Sequence, residues 1–377
     1  MIPLFKVAMS PAAMGRIADV FSSGMMVHGP TVGAFEEALR RVVGNPHLAA
    51  VNNGTSALHL AMRLAADPGP GAEPRPAGRD EVLATPLTFE AANFAVLANG
   101  LRLRWVDVDP GTFTIDLDDL ARKISPATAA ISLVHWAGYP VDLDRLSRIL
   151  DDAEAAHGHR PLVVEDCAHA WGTTLRGRRL GNHGNVCIFS FHALKHLTCG
   201  TGGMITLPDQ RMHERVQLLR WLGIDRRADR INASYDVPEW GYNFQLNDIA
   251  AAMGLANLEI VDENLRRHRA NAAYYDEELA GVTGLELTDR APGHDSSFWL
   301  YPLKVRDRDA FMRKMTEAGI AVTRFVRRND WHSAVREFRV PLPGLDGVYD
   351  QMVYIPVGWW LTEEDRAYVA KTIRAGW

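Results

Sequence analysis

Apolar residues recur at helical spacing from about Thr31 to Val43, with Phe35, Leu39 and Val42 on one stripe, which predicts a helix. The apolar run Leu48–Val51 predicts a strand, Asn52-Asn53-Gly54 a turn, and the Ala- and Leu-rich stretch from Thr55 to about Ala66 a second helix. The pattern then repeats. Strands are expected at Glu81–Thr85, Arg102–Val106, Ala129–Val134 and Leu162–Val164, and helices at Glu90–Asn99 and Asp142–Ala156. Val186–Phe191 and Gly203–Leu207 predict two further strands. Such alternation implies an α/β fold with a mostly parallel sheet and helices on both faces. An Ala-rich stretch from about Asn247 to Leu279 predicts one long helix, after which mixed strand and helix resume near Thr283. The expected organisation is a large domain over 1–250 and a smaller C-terminal α/β domain over 251–377, which carries the connecting helix. The Pro- and Gly-dense segment Asp67–Asp80 reads as a surface loop, because α/β units resume directly after it.

Length and composition narrow this picture. A chain of 377 residues exceeds one small core and suits two domains. Hydrophobic residues at 47% and charged residues at 23% are those of a soluble globular protein. With 41 basic and 46 acidic side chains the net charge is −5, which gives no reason to expect nucleic acid or an anionic membrane as partner. No apolar run approaches the roughly 20 residues that span a bilayer, and Met1–Ser10 lacks the features of a signal peptide. Cys167, Cys187 and Cys199 show no CxxC spacing, so a reduced, cytoplasmic protein without disulfides or a metal site is expected.

Three segments carry candidate chemistry. In Asn53-Gly54-Thr55-Ser56-Ala57 a glycine turn opens a helix beside two hydroxyls, which suits an anion facing free backbone N–H groups. A plain helix cap has the same composition. In Glu165-Asp166-Cys167-Ala168-His169 the acids lie at the carboxyl end of a parallel strand, where α/β sheets bind ligands. Asp166 there suits either a cationic ring nitrogen or a cap. In Phe189-Ser190-Phe191-His192-Ala193-Leu194-Lys195, followed by Gly200-Thr201-Gly202-Gly203, an apolar strand runs into a lysine and a glycine-rich turn. Most lysines are solvated. One flanked by apolar and small residues loses its proton more readily, as Schiff-base chemistry requires.

Taken together, these segments resemble the DegT/DnrJ/EryC1/StrS family of pyridoxal-phosphate (PLP) sugar aminotransferases, which have the fold-type I architecture. The resemblance extends over nearly the whole chain: Gly29-Pro30 with Phe35-Glu36, GTSALHLA at Gly54–Ala61, TPLTFEAANFAVLANG at Thr85–Gly100, VDVDPGTFTID at Val106–Asp116, VHWAGYPVDLD at Val134–Asp144, VEDCAHAWG at Val164–Gly172, FSFHALKHLTCGTGGM at Phe189–Met204 and GYNFQLNDIAAAMGL at Gly241–Leu255. It implies that Lys195 joins the cofactor and shuttles a proton, that Asp166 pairs with the pyridinium nitrogen, and that His169 lies beside the phenolate oxygen. It also implies that Phe89 stacks on the ring and that Gly54, Thr55, Ser56 and Ser190 surround the phosphate. Asn243 corresponds to an asparagine that reaches the neighbouring subunit's phosphate, which implies a homodimer with shared sites. Thr201 stands where the family often has Glu, and Phe244-Gln245 where an Arg often follows Asn-Tyr; both bear on substrate identity.

Outside these motifs, Arg324, Arg327 and Arg328 with His332 form a basic patch fit for a nucleotide diphosphate, or a solvated face. The resemblance implies amino transfer from an amino acid, L-glutamate first, to a nucleotide-linked keto sugar. Sugar dehydration, a cyclitol substrate and a non-catalytic regulator are the alternatives, although Lys195 speaks against dehydration and Lys195 with Asp166 against a regulator.

Overall fold

The computed structural model describes residues 1–27, 29–225 and 235–377. Seven strands form the central sheet: β1 (Leu48–Val51), β2 (Glu81–Ala84), β3 (Arg102–Trp105), β4 (Thr128–Val134), β5 (Leu162–Asp166), β6 (Val186–Ser190) and β7 (Gly203–Thr206). Their spatial order is β1-β7-β6-β5-β4-β2-β3. The five strands from β3 to β6 are parallel, and β7 runs antiparallel to both β6 and β1. Every residue of β1, β2, β4 and β7 is buried, which accounts for their continuous apolar runs: a sheet covered on both faces has no solvent side to alternate with. The alternation is present between two cores instead. In β1, Ala49 and Val51 join one cluster, with the helices Gly54–Ala66 and Glu90–Ala98. Leu48 and Ala50 join the other, with Pro30–Val43 and Leu143–His157.

Buried polar contacts fix the helices that frame the site. Asp248, fully buried, accepts from the amides of Gly29 (2.8 Å), Thr31 (2.9 Å) and Val32 (3.3 Å), so a side chain from a distant helix closes the start of Pro30–Val43. A side chain at Gly29 would meet the Asp248 carboxylate at 2.8 Å; the Gly-Pro pair thus combines close approach with a proline at the first helical turn. Glu36 on the same helix accepts from Arg220 (2.6 Å) and from the Ala50 amide (2.9 Å), which ties the helix to β1.

The expected single helix over 247–279 is two, Asp248–Leu258 and Val261–Glu278. The turn at Glu259-Ile260 carries i→i+3 bonds to Ala256 and Asn257. It separates a short helix packed against Ala13–Ser23 and Pro30–Val43 from a longer amphipathic one. Beyond it, β8 (Leu285–Leu287), β9 (Tyr301–Val305) and β10 (Met352–Ile355) form an antiparallel sheet in the order β8-β9-β10. A separate core from Ala272 to Ile373 packs this sheet against the helices Arg308–Glu317 and Glu363–Arg374. Ile2 bridges to Ile320, so the first residues run with this C-terminal unit. The 67–80 segment holds no helix or strand. Among the described residues no helix is long and apolar enough to cross a membrane.

Candidate active site

The three motif segments converge at the carboxyl edge of the parallel strands. Asp166 ends β5 and Ser190 ends β6. The turn after β1 delivers the start of the helix Gly54–Ala66 to the same edge. Lys195 stands on the excursion between β6 and β7, which is closed at its base by Phe191 N–H to Gly202 O (2.8 Å) and Cys199 N–H to Phe191 O (2.9 Å). The chain packs backbone against backbone here. A Cβ at Gly203 would meet Phe189 O at 2.7 Å and Gly54 N at 2.8 Å, and one at Gly54 would meet Ser190 Cβ at 2.9 Å. These two glycines are needed for that approach. Asn53 caps the helix by accepting from the Ser56 amide (2.8 Å), which leaves the amides of Gly54 and Thr55 without helical acceptors.

A cavity of about 460 Å³ opens at this edge. Gly54, Thr55, Phe89, Asp166, His169, Ser190 and Lys195, seven of the nine residues expected around a cofactor, line it. Arg327 reaches it as well. The electrostatics follow from burial. Desolvation lowers the Lys195 ammonium from its ordinary 10.5 to about 7, against the pull of Asp166. Burial raises the Asp166 carboxyl above its usual range, opposed by the Ala168 amide, which donates to Oδ1 at 2.9 Å, and by Lys195. His169 is held well below its ordinary value, first by burial and then by Lys195 and His196. It is therefore a neutral imidazole at neutral pH, and its buried Nδ1 has no hydrogen-bond partner. Glu165, next to Asp166, is engaged elsewhere. It accepts from His135 Nε2 (2.8 Å) and Asn185 (2.7 Å), while His135 Nδ1 accepts from the Val141 amide (3.0 Å).

Other predicted residues lie elsewhere. Ser56 is buried, and its hydroxyl donates to Asn52 Oδ1 (2.6 Å) rather than facing the cavity. Asn243 is exposed and outside the cavity; the helix cap is Asn247, whose side chain accepts from the Ala250 amide, so Asn243 is not a cap. The arginine patch separates into two kinds. Arg328 is 2% exposed, forks onto Asp330 with two 2.8 Å bonds and reaches Asp346 at 2.5 Å, which places it in the framework. Arg324 and Arg327 are exposed, and His332 Nε2 lies 3.3 Å from Glu90. The sequence reading missed Trp299 and Phe325, which line the cavity from the C-terminal unit. No local motif marks them. A larger hollow of about 790 Å³ beneath the 67–80 loop contains none of the predicted residues.

The sequence and this geometry agree with comparisons to known proteins. Residues 8–374 match the DegT/DnrJ/EryC1/StrS aminotransferase family. The chain belongs to that family. It is similar to AtS13 from Actinomadura melliaura, at 61% identity and a TM-score of 0.97 over 100% of this chain and 99% of that one. It is also similar to the sugar aminotransferase CalS13 from Micromonospora echinospora, at 59% identity and a TM-score of 0.96 over 100% of both chains. GDP-perosamine synthase of Caulobacter vibrioides shares 36% identity over 303 residues, 78% of this chain and 75% of that protein. The protein is therefore a PLP-dependent sugar aminotransferase of the fold-type I architecture, and the regulator alternative falls away. The residues present fit the cofactor. A lysine near neutrality, a buried carboxylate, a buried imidazole nitrogen without a partner and a helix start with free amides surround one cavity of suitable size.

Proposed function

We propose that this aminotransferase moves an amino group from L-glutamate to the ketone of a nucleotide-linked sugar. The observation that carries the reading is the convergence of Lys195, close to neutrality, and Asp166 in one cavity that Arg327 also lines. The relative named for GDP-perosamine supports the nucleotide-linked acceptor.

Bound PLP supplies a reversible carrier for the amino group and an electron sink. Lys195 Nζ would hold the cofactor covalently, and as the free amine it would move the proton at the substrate carbon. Burial lowers that amine from its ordinary 10.5 to about 7, which brings it within reach of both giving and taking a proton. Asp166 keeps the ring nitrogen protonated. A carboxylate that burial destabilises on its own gains most from a cationic partner. His169, neutral and with Nδ1 unpartnered, would supply a hydrogen bond to the cofactor. Thr55, Ser190 and the amides at Gly54 and Thr55 would hold its phosphate. Phe89, 59% exposed, offers its ring to the pyridine face. Arg327 engages the anionic part of a substrate.

The exposed Asn243, freed from any capping duty, completes the phosphate site of a second copy, so the active form is a homodimer. The three free, buried thiols suit a reducing compartment such as the cytoplasm. The test is a panel of keto sugars, free and nucleotide-linked, incubated with glutamate and analysed for amino product by mass spectrometry and NMR. Amination of the nucleotide-linked ketones supports the proposal. Turnover of only free sugars or cyclitols would overturn it.

A further inference from the structure

Trp299 lines the cavity, yet no step above uses it. It is 4% exposed and firmly held. Its Nε1–H donates to Leu194 O at 2.8 Å, so the indole is tied to the residue directly before Lys195. Its ring stacks on His169 with centroids 4.0 Å apart and planes at 24°. Phe325 meets it edge-on at 5.0 Å, and Phe5 packs against it at 5.2 Å. Phe325 does so from a left-handed backbone, φ 65°, a strained conformation for a non-glycine residue that persists only where the surroundings impose it. The Lys195 ammonium lies over the indole, with Nζ 3.7 Å from the ring centroid.

We propose that Trp299 is a positioning residue for Lys195: the indole face holds the ε-ammonium whenever that group is not joined to the cofactor, and keeps it aimed into the cavity. The inference rests on Lys195 being the amine that joins PLP. A lysine released into the cavity has four free torsions, and immobilising such a side chain costs conformational entropy. A cation over an indole in a desolvated site gains enough to offset that loss. The titratable and charged groups around Nζ are Asp166, His169 and His196, with Glu90, His192 and Arg327 along the cavity and Lys6 and His268 in a small adjoining cleft that Lys195 and Trp299 also line. Burial pushes Nζ toward the neutral amine and Asp166 opposes it. When Asp166 pairs with a ring nitrogen its pull on Lys195 is divided, and the indole, 3.7 Å from Nζ, still favours the ammonium. The bond to Leu194 keeps plate and lysine in register.

The test follows covalent attachment of added PLP to the cofactor-free, full-length protein by stopped-flow absorbance across pH. The attachment rate tracks the neutral fraction of Lys195. Trp299→Leu removes the π face and Trp299→Phe keeps a smaller one. The midpoint is expected near 7 in the unaltered protein, about 0.4–1.5 units lower in Trp299→Leu and between the two in Trp299→Phe. The high-pH plateau, where the amine is neutral and the cation–π contact is gone in every variant, should change less than threefold. A midpoint that stays or rises in Trp299→Leu would overturn the proposal and leave the indole as filler that excludes water. Melting temperatures report the structural cost of each substitution separately; Trp299→Phe remains informative if Trp299→Leu does not fold. Failure of the unaltered protein to attach PLP would instead sink the Lys195 assignment beneath it.

Discussion

Replacing Gly54 by alanine tests whether the close approach of the helix start to β6 is what shapes the cofactor cradle. The new methyl would meet Ser190 Cβ at 2.9 Å, Ser190 Oγ at 3.3 Å and Ser190 Cα at 3.4 Å. Carbon pairs attract best near 3.5–4.0 Å, so the two segments must part by about 0.6 Å or more. Overpacking of this kind costs about 1–3 kcal/mol. Alanine in place of glycine in a helix recovers about 0.5–1 kcal/mol. Mid-range values leave about 1.2 kcal/mol of lost stability, and PLP binding should weaken more than twofold because the separation displaces the hydroxyls of Thr55 and Ser190 from the phosphate. The assay is a PLP titration of the cofactor-free protein, followed by fluorescence, with a melting curve for each variant. Ser190→Gly provides the control: with Ser190 Cβ gone, adding Gly54→Ala should cost almost nothing beyond the loss of the hydroxyl. The reasoning is refuted if Gly54→Ala binds PLP within twofold of the unaltered protein, or if its cost persists in the Ser190→Gly background.

Three further outcomes are expected. Arg328→Ala leaves the 1%-exposed Asp330 without its fork and should destabilise the fold by about 3–5 kcal/mol in urea unfolding, whereas Arg327→Ala should leave unfolding unchanged and raise KM for the acceptor. Asp166→Asn should lower transamination more than tenfold, about 1.4 kcal/mol of barrier, yet leave the cofactor-free protein at least as stable at neutral pH. The sign follows from the raised folded pKa of Asp166: the folded state holds that proton more tightly than the unfolded one, so stability is lost as pH rises from the unfolded value through the folded one, and asparagine removes the loss. A melting temperature well below that of the unaltered protein would refute it. Mixing Lys195→Ala subunits with Asn243→Ala subunits under exchange should raise activity above that of Asn243→Ala alone, because one hybrid site then carries neither lesion; no rise after proven exchange would dismiss the shared site.

The sheet was legible in the sequence because its strands are covered on both faces and read as uninterrupted apolar runs, as at Leu48–Val51 and Thr128–Val134. Their order was not legible, since β7 inserts between β1 and β6 through pairings that no local pattern encodes. The break at Glu259-Ile260 was also hidden: neither glycine nor proline marks it, and the helices either side are defined by what they pack against. At the site, Lys195, Asp166 and Ser190 were visible because each sits at a strand end or a glycine-rich turn. The Ser56 hydroxyl donates to Asn52 instead of facing the cavity, a partner that no local pattern announces. Arg328 looked like its neighbour Arg327 until Asp330 and Asp346 were brought to it. Trp299 enters from the segment before β9, so tertiary folding alone brings it to the cavity.

The central claim is that Lys195 is the residue that joins the cofactor. Treating the PLP-loaded protein with borohydride fixes the linkage, and digestion with peptide mass spectrometry then locates it. The account predicts a cofactor adduct on the peptide containing Lys195 and on no other, lost in Lys195→Ala together with the yellow colour. An adduct on a different lysine, or an undiminished one in Lys195→Ala, would contradict it.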